Sequence, residues 1–125
     1  MNKAPRKPNG FTLIEVAVGL IILAVGLLGV ATMQIISTKS NYFSNRIEQA
    51  TILAQDKLEY LKNLSYRDAD LSIGEHNEGP IPGVIFSMQY HIGEDAGNSM
   101  KTITVTIQWE DRGSHRISLS TIRAK

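Results

Sequence analysis

The sequence predicts an α+β fold. One long N-terminal helix, half membrane span and half amphipathic, packs on a small antiparallel sheet of about three strands. Three observations predict it. Val16 to Thr38 is a run of 23 residues without a charge. From Asn41 to about Leu64 apolar residues recur at helical spacing, and no proline occurs between Pro8 and Pro80. Beyond Gly83 apolar and polar residues alternate in segments separated by turn residues.

Residues 1–10 carry Lys3, Arg6 and Lys7, no acid, and end in Asn9-Gly10. The uncharged run follows almost at once. At about 1.5 Å per residue it makes a helix of roughly 35 Å, enough to cross a hydrocarbon core of about 30 Å. A buried core helix is the alternative, but the remaining chain is too small to surround an all-round apolar helix of that length. A secretory signal peptide has an apolar region of only about 7–15 residues and ends in a small-residue cleavage site, and neither holds here. Positive charge ahead of the span places the N-terminus in the cytoplasm and the bulk of the chain outside; Lys39 and Arg46 oppose this only weakly.

Glu15 stands at the lip of the span. A carboxylate at mid-membrane costs about 2.5–3.5 kcal/mol, a cost that its end position and the positive end of the helix reduce. Gly19, Gly26 and Gly29 lie within the span, where small residues allow close helix approach and each glycine lowers helix propensity by about 1 kcal/mol.

The helix is expected to continue as an amphipathic half. Ile47, Ala50, Leu53/Ala54, Leu58 and Leu61 form the apolar face, and Arg46, Glu48, Gln49, Gln55, Asp56, Lys57, Glu59 and Lys62 fill the others. Ser65 to Gly83 reads as a turn-rich connector. Its Asp68, Asp70 and Ser72 have the first spacings of a calcium loop, but Ile73 and Gly79 occupy positions that need glycine and glutamate, so an EF-hand fails.

Three strands follow. Val84, Phe86, Met88, Tyr90 and Ile92 share one face of the first. In the second, Ile103, Val105, Ile107 and Trp109 face inward and Thr102, Thr104, Thr106 and Gln108 outward. After a turn at Glu110–Ser114, Arg116 to Ile122 returns with Ile117 and Leu119 inward. The apolar face of this meander needs a cover, and the amphipathic half of the helix is the available one.

Composition excludes several function classes. There is no cysteine, so no disulfide framework, thiol chemistry or cysteine metal site exists. His76, His91 and His115 are dispersed, with no spacing that suits zinc, and no cofactor is expected. No nucleophile elbow, P-loop or dinucleotide fingerprint occurs, so the chain is not read as an enzyme. Of 13 basic and 12 acidic residues, three basics lie in 1–10, leaving ten against twelve in the remainder. That balance gives no general attraction to nucleic acid. Arg112, Arg116, Arg123 and Lys125 cluster near the C-terminus, where a charged strand edge protected against aggregation is favoured over a DNA site.

Gly10-Phe11-Thr12-Leu13-Ile14-Glu15, with its basic approach and apolar sequel, resembles the processing site of type IV prepilins and type II secretion pseudopilins. The stretch from Ala54 to Lys62 resembles the matching stretch of minor pilins of the PilV type and of pseudopilins, and the strand residues Thr104–Gly113 and Ser118–Ile122 resemble minor pilins of the PilV type. The resemblance implies that a membrane prepilin peptidase cuts between Gly10 and Phe11 and methylates the Phe11 amine. Glu15, left without a partner in the membrane, would then pair with that amine on a neighbouring subunit and set the axial stagger.

The implied organisation is a leader at 1–10, a membrane and filament-core helix at 11–38, its amphipathic half at 39–65, and a pilin-like connector and sheet head at 66–125. The implied partners are the prepilin peptidase, other major and minor pilins, and the inner membrane before assembly. The implied location is a single pass of the inner membrane with a periplasmic head, then the extracellular pilus, with roles in pilus biogenesis, adhesion, motility or DNA uptake. A type II secretion pseudopilin is one alternative, and a single-span anchored binding domain that never polymerises is another. Two departures from common pilins are the missing C-terminal disulfide and the missing proline near Gly29, where Gly26 and Gly29 would provide a soft point instead.

Overall fold

The computed structural model describes residues 10–97 and 99–125. The expected leader with Lys3, Arg6 and Lys7 lies outside the described residues except for Gly10, as does Asn98 in the expected turn after the first strand. Helix α1 spans Leu13–Asn63 and is followed by the short 3₁₀ turn Ala69–Leu71. Four strands then form one sheet: β1 Gly74–Pro80, β2 Phe86–Glu94, β3 Met100–Glu110 and β4 Ser114–Ala124. Their order is β1-β2-β3-β4, with every neighbouring pair antiparallel.

Two compact units divide the chain between Tyr42 and Phe43. The first contains the apolar part of α1, the one helix among the described residues long and apolar enough to cross a membrane. Its side chains are exposed on all faces, from Val16 at 51% to Ile36 at 67%. Water does not tolerate such a continuous apolar surface, so the physical setting it fits is lipid or other helices. The helix runs without a break through Gly19, Gly26 and Gly29, and a Cβ built on any of the three meets no atom within 4 Å.

The second unit holds the core. Ala50, Ala54, Leu58 and Leu61 of α1 are buried against Phe86, Met88, Tyr90 and Ile92 of β2 and Ile103, Val105, Ile107 and Trp109 of β3. Ile47, Leu53, Ile117 and Leu119 border this cluster. The small side chains Ala50 and Ala54 let the helix lie close to the sheet, while Leu61 and Leu71 close one end. Alternation works as the strand pleat requires: β3 buries each odd residue from Lys101 to Trp109 and turns the threonines away.

The structure corrects the sequence reading in two places. The segment expected to be only turns contains a fourth strand, β1, whose Gly-Glu-His-Asn-Glu-Gly-Pro composition has little strand propensity. Pairing with the exposed edge of β2 overrides it, as strand formation depends on context. The pairing is imperfect, with a register shift between Asn77 and Gly79 and Pro80 at the end. Second, Val84 is not part of the following strand. Gly83 adopts a φ of 81°, which turns the chain, and Val84 is left exposed ahead of Phe86. Within the connector, the Asp68 carboxylate accepts from the Asp70 amide and caps the 3₁₀ turn.

Lys101, a strand-start lysine with no assigned role by sequence, is buried. Its ammonium donates to the carbonyls of Tyr66 and Leu71 at 2.9 and 2.8 Å and sits 4.5 Å from the Tyr66 ring centroid. The connector is thereby tied to β3. Directly across from Lys101 on β4, the Arg123 guanidinium donates to the Leu61 carbonyl at 3.3 Å, which also accepts from the Leu64 amide in the last turn of α1. Lys57 pairs with Glu78, joining α1 to β1.

Two substitutions test this packing in the full chain held in detergent micelles. Lys101→Met strands two carbonyls and is expected to cost about 2 kcal/mol, and Leu61→Ala leaves a cavity worth about 3 kcal/mol. Both lower the thermal midpoint of the strand signal in circular dichroism; a wild-type midpoint for Lys101→Met would show that the buried ammonium holds nothing.

Candidate processing and assembly site

The start of α1 is built by four residues. Gly10, Phe11 and Thr12 are non-helical, and the helix begins at Leu13. Gly10 and Phe11 are exposed, Phe11 at 86%. The peptide bond between them therefore lies outside the helix, where its carbonyl and amide are not tied into the helical ladder.

Thr12 and Glu15 form a reciprocal pair. The Glu15 amide donates to Thr12 Oγ1 at 3.3 Å, and the Thr12 amide donates to Glu15 Oε2 at 3.2 Å. The Thr12 hydroxyl also reaches Oε2 at 3.4 Å. The Thr12 carbonyl accepts from the amides of Glu15 and Val16 at 3.1 and 3.2 Å. This is a capping box, in which the residue before the helix and the third residue inside it satisfy each other's open backbone donors. It places a carboxylate in the first turn, where the helix dipole favours an anion.

Two consequences follow for the sequence reading. Glu15 does have a partner within its own chain, because a helix start always has unpaired amides and a carboxylate at this position can reach one. The bond uses Oε2, and a carboxylate has lone pairs for several donors. Thr12 was missed as a functional residue, although Thr12-Leu13-Ile14-Glu15 carries the capping-box spacing in plain view.

The head supplies no comparable constellation. His76 stacks on Tyr90 with ring centroids 4.5 Å apart, His91 Nδ1 lies 3.1 Å from Glu75, and His115 packs between Phe43 and Trp109. The three histidines thus remain apart. Among the described residues no group of three or more histidine or carboxylate side chains could hold a metal. The Tyr90 hydroxyl is pushed above the ordinary tyrosine range by burial and by the negative charges of Asp70 and Glu78, which marks it as a neutral core group.

Residues 5–31 match the family model of the prokaryotic N-terminal methylation motif. The match covers Arg6 and Lys7 of the basic approach, the Gly10-Phe11 junction, Glu15 and most of the apolar run. With the long helix on an antiparallel sheet, a pilin-like α+β layout, it supports the class of type IV pilin and pseudopilin precursors, which undergo processing by prepilin peptidase and assemble with other pilins. No curated protein and no solved structure matches the chain significantly.

The cap makes a specific demand on Thr12. Replacing it with alanine removes the hydroxyl that holds the Glu15 amide, a loss of about 1 kcal/mol from the first turn. Amide exchange at Glu15 and Val16, followed by NMR in micelles, should quicken about fivefold, while exchange in β3 stays unchanged. Unaltered exchange at Glu15 would show that the hydroxyl does not cap the helix.

Proposed function

We propose that the chain is the precursor of a minor type IV pilin of the PilV type. It enters the inner membrane with the N-terminus in the cytoplasm and is cut between Gly10 and Phe11. Its Phe11 amine is methylated, and it joins the pilus or the complex that starts pilus assembly. The observation that carries the reading is the methylation motif across residues 5–31, with its scissile junction exposed and immediately ahead of the helix.

Cleavage turns the Phe11 nitrogen into a cation one residue before the helix cap. In a bundle of such helices inside an apolar core, that cation and the Glu15 carboxylate of a neighbour are each costly alone. Their pairing is favourable because the alternative is two unpaired charges already removed from water. The capping bonds hold Oε2 on the Thr12 amide and hydroxyl, leaving Oε1 to accept from the neighbouring amine. Oε1 has no partner among the described residues of its own chain. The contact repeats from subunit to subunit and sets the axial stagger, as a single polar residue sets register in a coiled coil. The residues from Phe11 to Thr38 supply the packing of the bundle, and the remainder forms the amphipathic half and the head. The subunit takes a structural part in pilus biogenesis.

Intact-mass measurement of the chain from cells with and without the prepilin peptidase tests this directly. The expected product begins at methylated Phe11 in the first case and retains residues 1–10 in the second. A chain that keeps its leader in the presence of the peptidase is a plain anchored domain and refutes the proposal.

A further inference from the structure

The two edges of the sheet differ in kind. β1 is seven residues long, bulged between Asn77 and Gly79, and ends in Pro80. Those are devices that blunt an edge against further pairing. β4 is eleven residues long, keeps one register with β3 from Ser114 to Ala124, and contains neither proline nor glycine.

The bonds at the two ends of β4 fix which of its amides face the open side. The Asp111 amide donates to the Gly113 carbonyl and the Lys125 amide to the Ser99 carbonyl, each at 3.0 Å. In an antiparallel ladder bonded and non-bonded pairs alternate. The odd residues of β4 therefore exchange bonds with β3, and the amides and carbonyls of Ser114, Arg116, Ser118, Ser120 and Ile122 aim at the open edge. Alongside that edge runs a groove between β4 and α1, lined by Gln55, Glu59, Lys62, Ser120 and Thr121. It provides a floor for the inward side chains of an added strand.

The charge of this edge selects its occupant. Arg116 lies on the exposed face of β4, Lys125 at its end and Arg112 in the turn before it, while Arg123 is tied to the Leu61 carbonyl. Glu110 and Asp111 offset charge at the turn end, and Glu59 faces the groove beside Lys62. A second copy pairing β4 with β4 about a two-fold axis would bring the arginines of both copies together. The β1 edge of a second copy is blunted, and its acids are engaged, Glu75 with His91 and Glu78 with Lys57. We infer that the open edge of β4 takes up an extended acidic segment of a partner protein as a fifth strand. Its backbone pairs with the even residues of β4, and its carboxylates meet Arg116 on the exposed face, with Arg112 and Lys125 at the two ends of the edge. This concerns the head alone and stands whether or not the N-terminus is processed.

The test uses the full chain in detergent micelles at low ionic strength and a fluorescein-labelled nine-residue peptide of alternating valine and glutamate. Saturable binding in fluorescence anisotropy is expected, with amide exchange at Arg116, Ser118, Ser120 and Ile122 slowed at least tenfold. A valine–lysine peptide should bind at least tenfold more weakly. So should a valine–glutamate peptide with alternate amides N-methylated, which keeps the charge and removes the backbone pairing. Ser118→Pro deletes an edge amide and leaves the backbone bonds to β3 in place, losing only the hydroxyl bond to Thr106 on the exposed face. It is expected to cost at least tenfold in affinity while the thermal midpoint of the head persists. Equal binding of the methylated peptide, no binding at all, self-association through β4 in the absence of peptide, or binding of single-stranded DNA in place of the peptide would each overturn the inference.

Discussion

The reciprocal hydrogen bonds between Thr12 and Glu15 are the constraint on which the N-terminal half of the molecule depends. A helix start leaves amides without partners, and this one borders an apolar surface where water cannot serve them. A carboxylate in the first turn answers that need and carries a charge to the edge of a region that resists charge. Its second oxygen remains able to accept. On the proposed reading, the same side chain that ends the helix cleanly in the free subunit also receives the amine of the next subunit after cleavage. Gly10 and Phe11, exposed and outside the helix, then stand where a peptidase can reach them without unwinding anything.

The head is organised around a different economy. Its core is small, and the helix contributes mainly alanine and leucine, so the sheet lies close beneath Ala50 and Ala54. Polar ties add to that packing: Lys101 holds the connector carbonyls, Arg123 closes the last turn of α1, and Lys57 engages Glu78. Every buried side-chain nitrogen and oxygen among the described residues has a partner. With no disulfide available, these bonds hold the segments that hydrophobic contact alone would leave loose.

Legibility in the sequence followed the strength of each local signal. The apolar run, the helical spacing from Ile47 to Leu61 and the threonine-isoleucine alternation of β3 each specify a single backbone period, and the structure has those elements in those places. β1 was hidden because Gly74 to Pro80 pairs only by virtue of the edge that β2 offers, a long-range effect with no trace in local propensity. Val84 looked like part of a strand until the conformation of Gly83 turned the chain before it. Lys101 is inward-facing by parity, but its burial depends on two carbonyls that come to it from the connector. Of the candidate site, the junction and the acid were visible from the motif. The cap is legible in the Thr12–Glu15 spacing, but the helix dipole accounts for the acid without naming Thr12, and only the hydrogen bonds show which amide each side chain holds.

The central claim is that Glu15 acts in assembly through its charge and not merely as a helix cap. Comparing Glu15→Gln with Glu15→Ala separates the two, because glutamine can still accept from the Thr12 amide but cannot pair with an amine as an anion. The direct measurement is the amount of each variant recovered in sheared pili relative to the processed subunit left in the membrane. The expected result is that both variants remain in the membrane while the wild type enters filaments. Normal incorporation of Glu15→Gln would contradict the claim and reduce Glu15 to a cap.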